Sequence, residues 1–228
     1  MNNYYVFPEI IDANIPSLGV SIEILNEKNM NSFDDFINKK IEFCLEKYRT
    51  LEVKEIENII GFNELHRQHG ERSKKIKSAP DTLIRLMKKR GAVTRISPLV
   101  DIYNLISIEY ALALGAHDWD SIKGNIVLKF INGGERFMPI GAKEPEVVFP
   151  GEYAYIDDST NEILCRLESR QSDISKLKET SKKILFIIQG NAKTSMNYLL
   201  SAKKELTVNL NQYFNFEVVN EFNYMGEN

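Results

Sequence analysis

Hydrophobic positions recur at two different spacings along this chain, and the two spacings predict both strands and helices. Residues 19–25 alternate and are rich in β-branched side chains, which is typical of a strand. Apolar residues then follow helical spacing over 33–48, after Asn31–Ser32 at the position of an N-cap. A second helix is expected near Val53–Ile60, with Gly61 as its end.

Two further helices are expected in the middle of the chain. Ser78, with Asp81 three residues later, predicts the start of a helix over 80–90, and Gly91 stands where a C-terminal glycine is expected. An apolar run over 99–112 predicts the second helix, and the sequence GAHDWD after it suggests a tight, polar turn.

The second half of the chain is dominated by short strand-like pieces. These are residues 125–131, 137–140, 146–149, 153–156, 162–167 and 184–189, with a hairpin turn expected at 132–134. An amphipathic helix over 192–211 follows, and FNFEVV is expected to add an edge strand. Most predicted helices lie in the first half of the chain, short strands dominate the middle, and one helix lies near the C-terminal end. This order predicts an α+β fold rather than alternating βαβ units.

Composition adds a strong asymmetry of charge to an otherwise ordinary globular chain of 228 residues, long enough for one large domain. The net charge is −3, which argues against indiscriminate binding to nucleic acid. However, the window 67–95 holds ten basic and two acidic residues, so it carries +8 and the remainder −11. Such a window is either the footprint of a polyanion or a solvated surface.

The sequence offers no sign of a membrane segment, a secretory signal or a disulfide. Cys44 and Cys165 fall on expected helix and strand positions, as reduced core residues of a cytoplasmic protein would. His66 and His69 are three residues apart, but no third ligand follows a recognised pattern. We therefore expect no metal and no cofactor, and a histidine pair that faces solvent or RNA.

Several polar residues stand unusually close to apolar ones and are candidates for chemistry. Asp101 and Asn104 interrupt the apolar run, where they either cap neighbouring backbone or frame a pocket. His117 is either a structural turn residue or a general base for attack of water on an ester. Arg170–Ser172 either bond their own loop or supply donors to a carbonyl oxygen.

Taken together, the motifs of residues 60–190 resemble the B3/B4 domain, the editing domain of the β-chain of bacterial phenylalanyl-tRNA synthetase. They are closer still to freestanding proteins that consist of this domain alone. The order and spacing of the motifs carry the resemblance, which rests on R-I-x-P-L-V-D-x-Y-N (95–104), G-A-H-D (115–118), S-x-P-x-x-L-I-R-L (78–86), E-x-F-x-P-I-G (135–141), P-G-E-Y (150–153) and L-C-R-L-E-S-R-Q-S (164–172).

The resemblance implies a β-sandwich-like core covered by helices, and hydrolysis of tRNA that carries the wrong amino acid. The expected catalytic residues are His117, Asn104, Tyr103, Arg170 and Ser172. The expected substrate-binding residues are Asp101, Gly115, Asp118 and Gln171. The expected tRNA contacts are Arg67, Arg72, Lys74, Lys75 and Lys77.

Two departures from the synthetase pattern bear on the substrate. The synthetase has a histidine where this chain has Gly115 and a threonine where it has Tyr103, while Asp101, Asn104 and Asp118 match. The bulk of Tyr103 favours a small amino acid.

The function expected is therefore trans-editing of misacylated tRNA. A non-catalytic RNA-binding module and an amino-acid-binding domain that uses the same pocket are the alternatives. We expect a single domain, with an N-terminal helical extension that contains one strand over 1–60, the family-like core over 60–190, and a C-terminal helix and edge strand over 191–228. The oligomeric state stays open, a monomer included.

Overall fold

The computed structural model describes residues 2–70 and 75–224. Its helices are α1 Pro8–Asp12, α2 Phe33–Lys47, α3 Glu57–His69, α4 Ala79–Arg90, α5 Pro98–Tyr110 and α6 Met196–Tyr213. Its strands are β1 Tyr4–Val6, β2 Ser17–Glu27, β3 Ala113–Asp118, β4 Ile126–Phe130, β5 Tyr153–Asp157, β6 Glu162–Arg166, β7 Arg170–Gln171, β8 Lys183–Gln189 and β9 Phe214–Tyr224.

Within the described residues the strands form two sheets, which pack face to face. One sheet has the order β1-β4-β5-β6-β7 and the other β3-β8-β2-β9. Pairing is antiparallel except between β1 and β4, which run parallel. Strand β9 lies at an edge, as expected from FNFEVV, and pairs with β2.

Successive side chains of a strand point to opposite faces of its sheet, and here the side chains on both faces of each sheet are largely apolar. Tyr4, Leu128, Tyr153, Leu185 and Ile187 fill the space between the sheets. The outer face of the β3-β8-β2-β9 sheet joins a second cluster with α2, α4, α5 and α6. The predicted α+β class, with a sandwich-like core covered by helices, is therefore confirmed.

The predicted caps of α4 are also present. The hydroxyl of Ser78 accepts from the backbone N–H of Asp81, and Gly91 adopts the left-handed conformation with φ of 64°. Predicted helices over 33–48, 99–112 and 192–211 and strands over 19–25, 125–131, 153–156, 162–167 and 184–189 are found with small shifts at their ends. The domain boundaries at 60 and 190 remain predictions, although β2 and β9 from the outer segments pair within one sheet.

The prediction that a helix ends at Gly61 was wrong. Residues Val53–Glu55 form a short 3₁₀ turn, and α3 then continues through Gly61 to His69. The glycine is needed for packing instead, because a Cβ at Gly61 would lie 1.9 Å from Oδ1 of Asn191. The longer helix carries His66 inward, so the histidine pair is not exposed as expected: the His66 side chain is only 13% exposed.

The GAHDWD sequence is not a turn. Its first four residues belong to β3, where His117 pairs with Leu185 of β8, and Trp119–Ser121 form a short 3₁₀ turn. The local sequence has few residues with strand preference, so the long-range pairing with β8 decides its conformation.

Residues 137–140 and 146–149 are not strands, and no hairpin forms at 132–134. The carboxylate of Glu135 accepts the N–H groups of Asn132 and Gly133 and holds an irregular turn. Phe137 and Val148 nevertheless bury their side chains against the outer face of the β1-β4-β5-β6-β7 sheet. The apolar positions of this segment therefore serve core packing without a strand ladder.

Candidate functional site

A cavity of about 470 Å³ opens where the two sheets meet the helical layer. Its walls come from the first turn of α4, from α5, from β3, and from the segment 165–171. Of the predicted site residues, the fold brings Tyr103, Asn104, Gly115, His117, Arg170, Gln171, Lys75 and Lys77 to this cavity.

Strand β3 contributes Gly115 and His117, which are two residues apart and therefore point to the same face. A Cβ at Gly115 would meet no atom within 4 Å, so this glycine leaves open space in the wall. The cavity is thus wider at this position than any side chain would allow.

The imidazole of His117 is buried and held in a defined orientation. Its Nδ1 lies 2.8 Å from Oγ of Ser175, and the residue is 2% exposed. Burial lowers the pKa of His117 to about 4. The ring is therefore neutral near pH 7, and within the described chain Nε2 has no hydrogen-bond partner.

Helix α5 contributes Tyr103 and Asn104. Neither the phenol hydroxyl of Tyr103 nor the amide of Asn104 has a hydrogen-bond partner among residues 2–70 and 75–224. Burial raises the pKa of Tyr103 well above its ordinary value, and Cys165 and Asp101 add to the effect. The phenol therefore keeps its proton and can donate a hydrogen bond.

A buried network supports the wall formed by residues 167–169. The carboxylate of Glu168 accepts from the hydroxyl of Tyr153 and lies 2.8 Å from Nε2 of His66. Both Leu167 and Glu168 have positive φ, at 48° and 43°, which non-glycine residues rarely adopt. Sequence reasoning missed this network, and the only available signal was the position of Glu168 inside the L-C-R-L-E-S-R-Q-S motif.

Cys165 also lines the cavity and is more accessible than the core position expected for it. Burial raises the pKa of its thiol well above the ordinary value, and Glu168 raises it further. A thiol that stays protonated is a poor nucleophile. Its contribution to the cavity is therefore shape and not covalent chemistry.

Arg170 and Gln171 line the cavity, but both are engaged with the protein. Nη2 of Arg170 donates to Glu146 at 2.7 Å, and Nε2 of Gln171 donates to the carbonyl of Ala116 at 2.7 Å. The second bond ties the segment to β3 and helps to fix the position of the neighbouring His117.

Three predicted site residues lie elsewhere, because each satisfies a local backbone or ionic contact. Asp101 accepts from Arg95 and from the N–H of Ile96, and Asp118 accepts from the N–H of Asp120 and from the hydroxyls of Ser121 and Ser181. Ser172 is fully buried and donates to the carbonyl of Met138. The expectation that Asp101 faces the cavity was wrong, and the capping alternative applies to it.

The basic residues expected to contact tRNA divide into two groups. Lys75 and Lys77 are exposed at the rim of the cavity, and Arg67 is exposed on α3. Arg72 and Lys74 lie outside the described residues.

Within residues 2–70 and 75–224, no three side chains of His, Cys, Asp or Glu gather closely enough to hold a metal ion. Nor does that part of the chain contain a helix whose length and apolar character would let it span a bilayer.

The family model of the B3/4 domain matches residues 64–207, which is more than half of the chain. The chain therefore belongs to the B3/4 domain family. This confirms the resemblance that the motifs carry.

The chain is also similar in sequence to one curated protein and in structure to one solved fragment. The β subunit of the phenylalanine–tRNA ligase of Shewanella oneidensis is 25% identical over 107 residues, a match that covers 39% of this chain and 14% of that subunit. An N-terminal fragment of the phenylalanyl-tRNA synthetase β-subunit from Pyrococcus horikoshii matches in structure with a TM-score of 0.51 at 14% identity. That match covers 97% of this chain and 53% of the fragment, and it supports the fold.

Proposed function

We propose that this chain is a hydrolase that acts in trans on misacylated tRNA and cleaves the ester between a small amino acid and the terminal adenosine. The observation that carries the proposal is a single cavity lined by His117, whose imidazole is neutral, by Asn104, whose amide has no hydrogen-bond partner among the described residues, and by two exposed lysines, Lys75 and Lys77. A cavity of this size is in the range of about 300–1,000 Å³ that small ligands occupy.

The charge at the rim supports a nucleic-acid substrate. Lys75 and Lys77 supply positive charge where the acceptor end of a tRNA would enter, and phosphate contacts dominate the affinity of such complexes. Arg170 retains N–H groups beyond the one bound by Glu146 and is the proposed contact for the terminal ribose or its phosphate. The name of the Shewanella relative, a ligase subunit for tRNA, points to the same class of substrate.

The proposed chemistry needs one base and one donor. In the tautomer whose Nδ1–H donates to Ser175, Nε2 of His117 accepts a proton from the attacking water. The amide of Asn104 donates to the carbonyl oxygen as negative charge develops there. The bond to the ribose oxygen then breaks, and the imidazolium returns its proton to that oxygen, which releases the free amino acid and the tRNA.

The base in this scheme is weak, because a pKa of about 4 is well below the working pH. The ribose hydroxyl next to the ester therefore shares the proton transfer. Gln171 has a positioning role through β3, whereas Asp101, Asp118 and Ser172 take no part in the proposed reaction.

The size of the site favours a small amino acid. Tyr103, Leu83 and Leu114 line the cavity from α5, α4 and β3, with Leu114 on the opposite face of β3 from Gly115 and His117, and their bulk restricts the space for a side chain.

A screen against correctly and incorrectly charged tRNAs tests the function directly. We expect release of one or a few small amino acids, and His117→Ala is expected to lower kcat/KM by about 10²-fold, the lower end of what a general base supplies. His69→Ala is the matched control, because His69 stacks on Phe130 and is not part of the cavity wall.

If no charged tRNA loses its amino acid, the hydrolase proposal is wrong. Binding of uncharged tRNA at low salt would then favour a non-catalytic RNA-binding module. Loss of that binding as well would favour a domain that binds a free amino acid in the same cavity.

A further inference from the structure

The hydroxyl of Tyr103 differs from those of the other buried tyrosines. Tyr103 is 8% exposed, yet its hydroxyl has no hydrogen-bond partner in the described part of the chain. The other buried tyrosines, whose hydroxyls all have partners, are Tyr4, Tyr48, Tyr153, Tyr155 and Tyr213. This oxygen is not among the described polar atoms that are buried without a partner, so it is accessible from the cavity and available to a ligand.

The ring of Tyr103 packs among apolar side chains, while Cys165 and Asp101, the latter paired with Arg95, lie close enough to raise the pKa of its hydroxyl. Tyr103 and Leu114 belong to one buried hydrophobic cluster, and Leu83 packs against it. Asn104 is next to Tyr103 on α5 but turned by about 100° around the helix axis, so the two side chains reach different parts of a bound molecule. With Asn104 assigned to the ester, Tyr103 is the neighbouring residue that we assign to the amino-acid side chain.

Of the charged groups that line the cavity, Lys75 and Lys77 lie at the exposed rim, and the two groups deeper in the wall are already paired. Glu168 is paired with His66 and bonded by Tyr153, and Arg170 is paired with Glu146. A charged amino-acid side chain would have no counter-ion beside Tyr103 and would lose its hydration. The site therefore selects a neutral side chain.

The number of hydrogen bonds that Tyr103 can form further restricts which neutral side chain fits beside it. The phenol hydroxyl can form one hydrogen bond with a hydroxyl group of a ligand, as donor or as acceptor. A side chain with a single small polar group therefore matches it. A carboxamide brings two N–H donors and a carbonyl, and most of these would stay unsatisfied against Leu83 and Leu114.

We propose that the amino acid removed by this protein carries a small hydroxyl side chain, as in serine or threonine, and that Tyr103 is the residue that recognises it. This inference rests on the proposed hydrolysis of aminoacyl-tRNA and names its substrate class. Valine has nearly the shape of threonine but replaces the hydroxyl by a methyl group, so it leaves the phenol without a partner. Loss of one such hydrogen bond corresponds to about tenfold in specificity.

The test compares threonine and valine on the same tRNA, and serine and alanine likewise. Wild type is expected to release threonine with a kcat/KM about tenfold or more above that for valine. Tyr103→Phe keeps the ring and removes the hydroxyl, and it is expected to abolish most of this preference. Tyr48→Phe is the control: it removes a buried hydroxyl that is bonded to Ile108 away from the cavity, and it should leave the ratio unchanged.

A second measurement separates this inference from the proposed function. Adenosine linked to threonine or valine through a non-hydrolysable 3′-amide reports on the pocket by calorimetry, whether or not hydrolysis occurs. A threonine preference that Tyr103→Phe removes would support the inference even if no ester were cleaved. Equal binding of the two amides, binding of neither, or a preference that survives Tyr103→Phe would overturn it.

Discussion

At the scale of single residues, His66 shows how one buried ion pair stabilises the wall of the cavity. Both ring nitrogens have acceptors, with Nδ1 3.2 Å from the carbonyl of Ile76 and Nε2 2.8 Å from Glu168. Burial by itself lowers the pKa of His66, but the carboxylate of Glu168 outweighs it and the net pKa is raised. The imidazolium form is therefore favoured by folding.

This shift predicts that the protein loses stability as pH rises. Below about pH 6.5 the histidine is protonated in both the folded and the unfolded chain, so the contribution of the pair is fully present. It is lost as pH rises through the raised pKa of the folded state. Urea unfolding from about pH 6 to about pH 9 should therefore show the free energy of unfolding falling more in wild type than in His66→Gln.

The variant His66→Gln has a side chain that can still donate to Glu168 but does not titrate in this range. A wild-type curve parallel to that of the variant would show that the ion pair does not contribute to the pH dependence. His117 does not affect the comparison, because wild type and variant both contain it and its contribution to the pH dependence is the same in the two curves.

At the scale of secondary-structure elements, one glycine in helix α3 and one in strand β3 have opposite roles in packing. Gly61 is inside α3, where a Cβ would overlap the side chain of Asn191. Asn191 cannot move aside freely, since its Nδ2 donates to the carbonyl of Asn58 and its Oδ1 accepts from Lys193. Gly115 is inside β3, where a Cβ would enter open space.

We therefore predict opposite outcomes for the same substitution at the two positions. Gly61→Ala should lower the free energy of unfolding by about 1–3 kcal/mol, since overpacking outweighs the gain in helix propensity. Gly115→Ala should be neutral or stabilise by up to about 1 kcal/mol, because its backbone is compatible with alanine. Chemical denaturation of both variants checks this, and similar costs at the two sites would contradict the packing described for Gly61.

At the scale of the whole molecule, the fold uses part of the basic window internally. Arg85 is paired with Asp81, Arg95 with Asp34 and Asp101, and Lys88 donates to the carbonyls of Tyr48 and Leu51. These residues have structural roles and do not need a polyanion to explain them. Arg67, Lys89 and Arg90 are exposed away from the cavity, whereas Lys75 and Lys77 are exposed at its rim, so these two lysines are the part of the expected tRNA footprint next to the cavity.

The expected consequence is a salt-dependent affinity for tRNA that depends on these two lysines. Charge reversal of both, Lys75→Glu with Lys77→Glu, should weaken binding and reduce the slope of log K against log salt concentration by about two. The matched control reverses Lys39 and Lys204, which are exposed on α2 and α6, helices that contribute no residue to the cavity. Equal weakening by the two pairs would indicate a general charge effect and no footprint at the rim.

The sequence by itself determined the features that depend on neighbours along the chain. The limits of α4 follow from Ser78 and Gly91, whose side-chain and backbone preferences act within one helical turn. The strands β2 and β8 follow from β-branched and apolar runs, and the α+β class follows from the order of these elements. Asn104 and His117 could be selected as pocket residues because the motifs around them resemble those of a known family.

The tertiary structure decided everything that depends on residues distant in sequence. Strand β3 forms because β8 offers a pairing partner about 70 residues later, and α3 passes Gly61 because Asn191 packs against it. Asp101 and Asp118 lie away from the cavity, because their carboxylates accept hydrogen bonds from neighbouring backbone N–H groups. Glu168 is part of the cavity wall because Leu167 and Glu168 adopt the left-handed backbone conformation. In each case the conformation is decided by burial and hydrogen bonding between segments that are distant in sequence. Local sequence patterns do not specify such contacts, because the segments meet only in the folded chain.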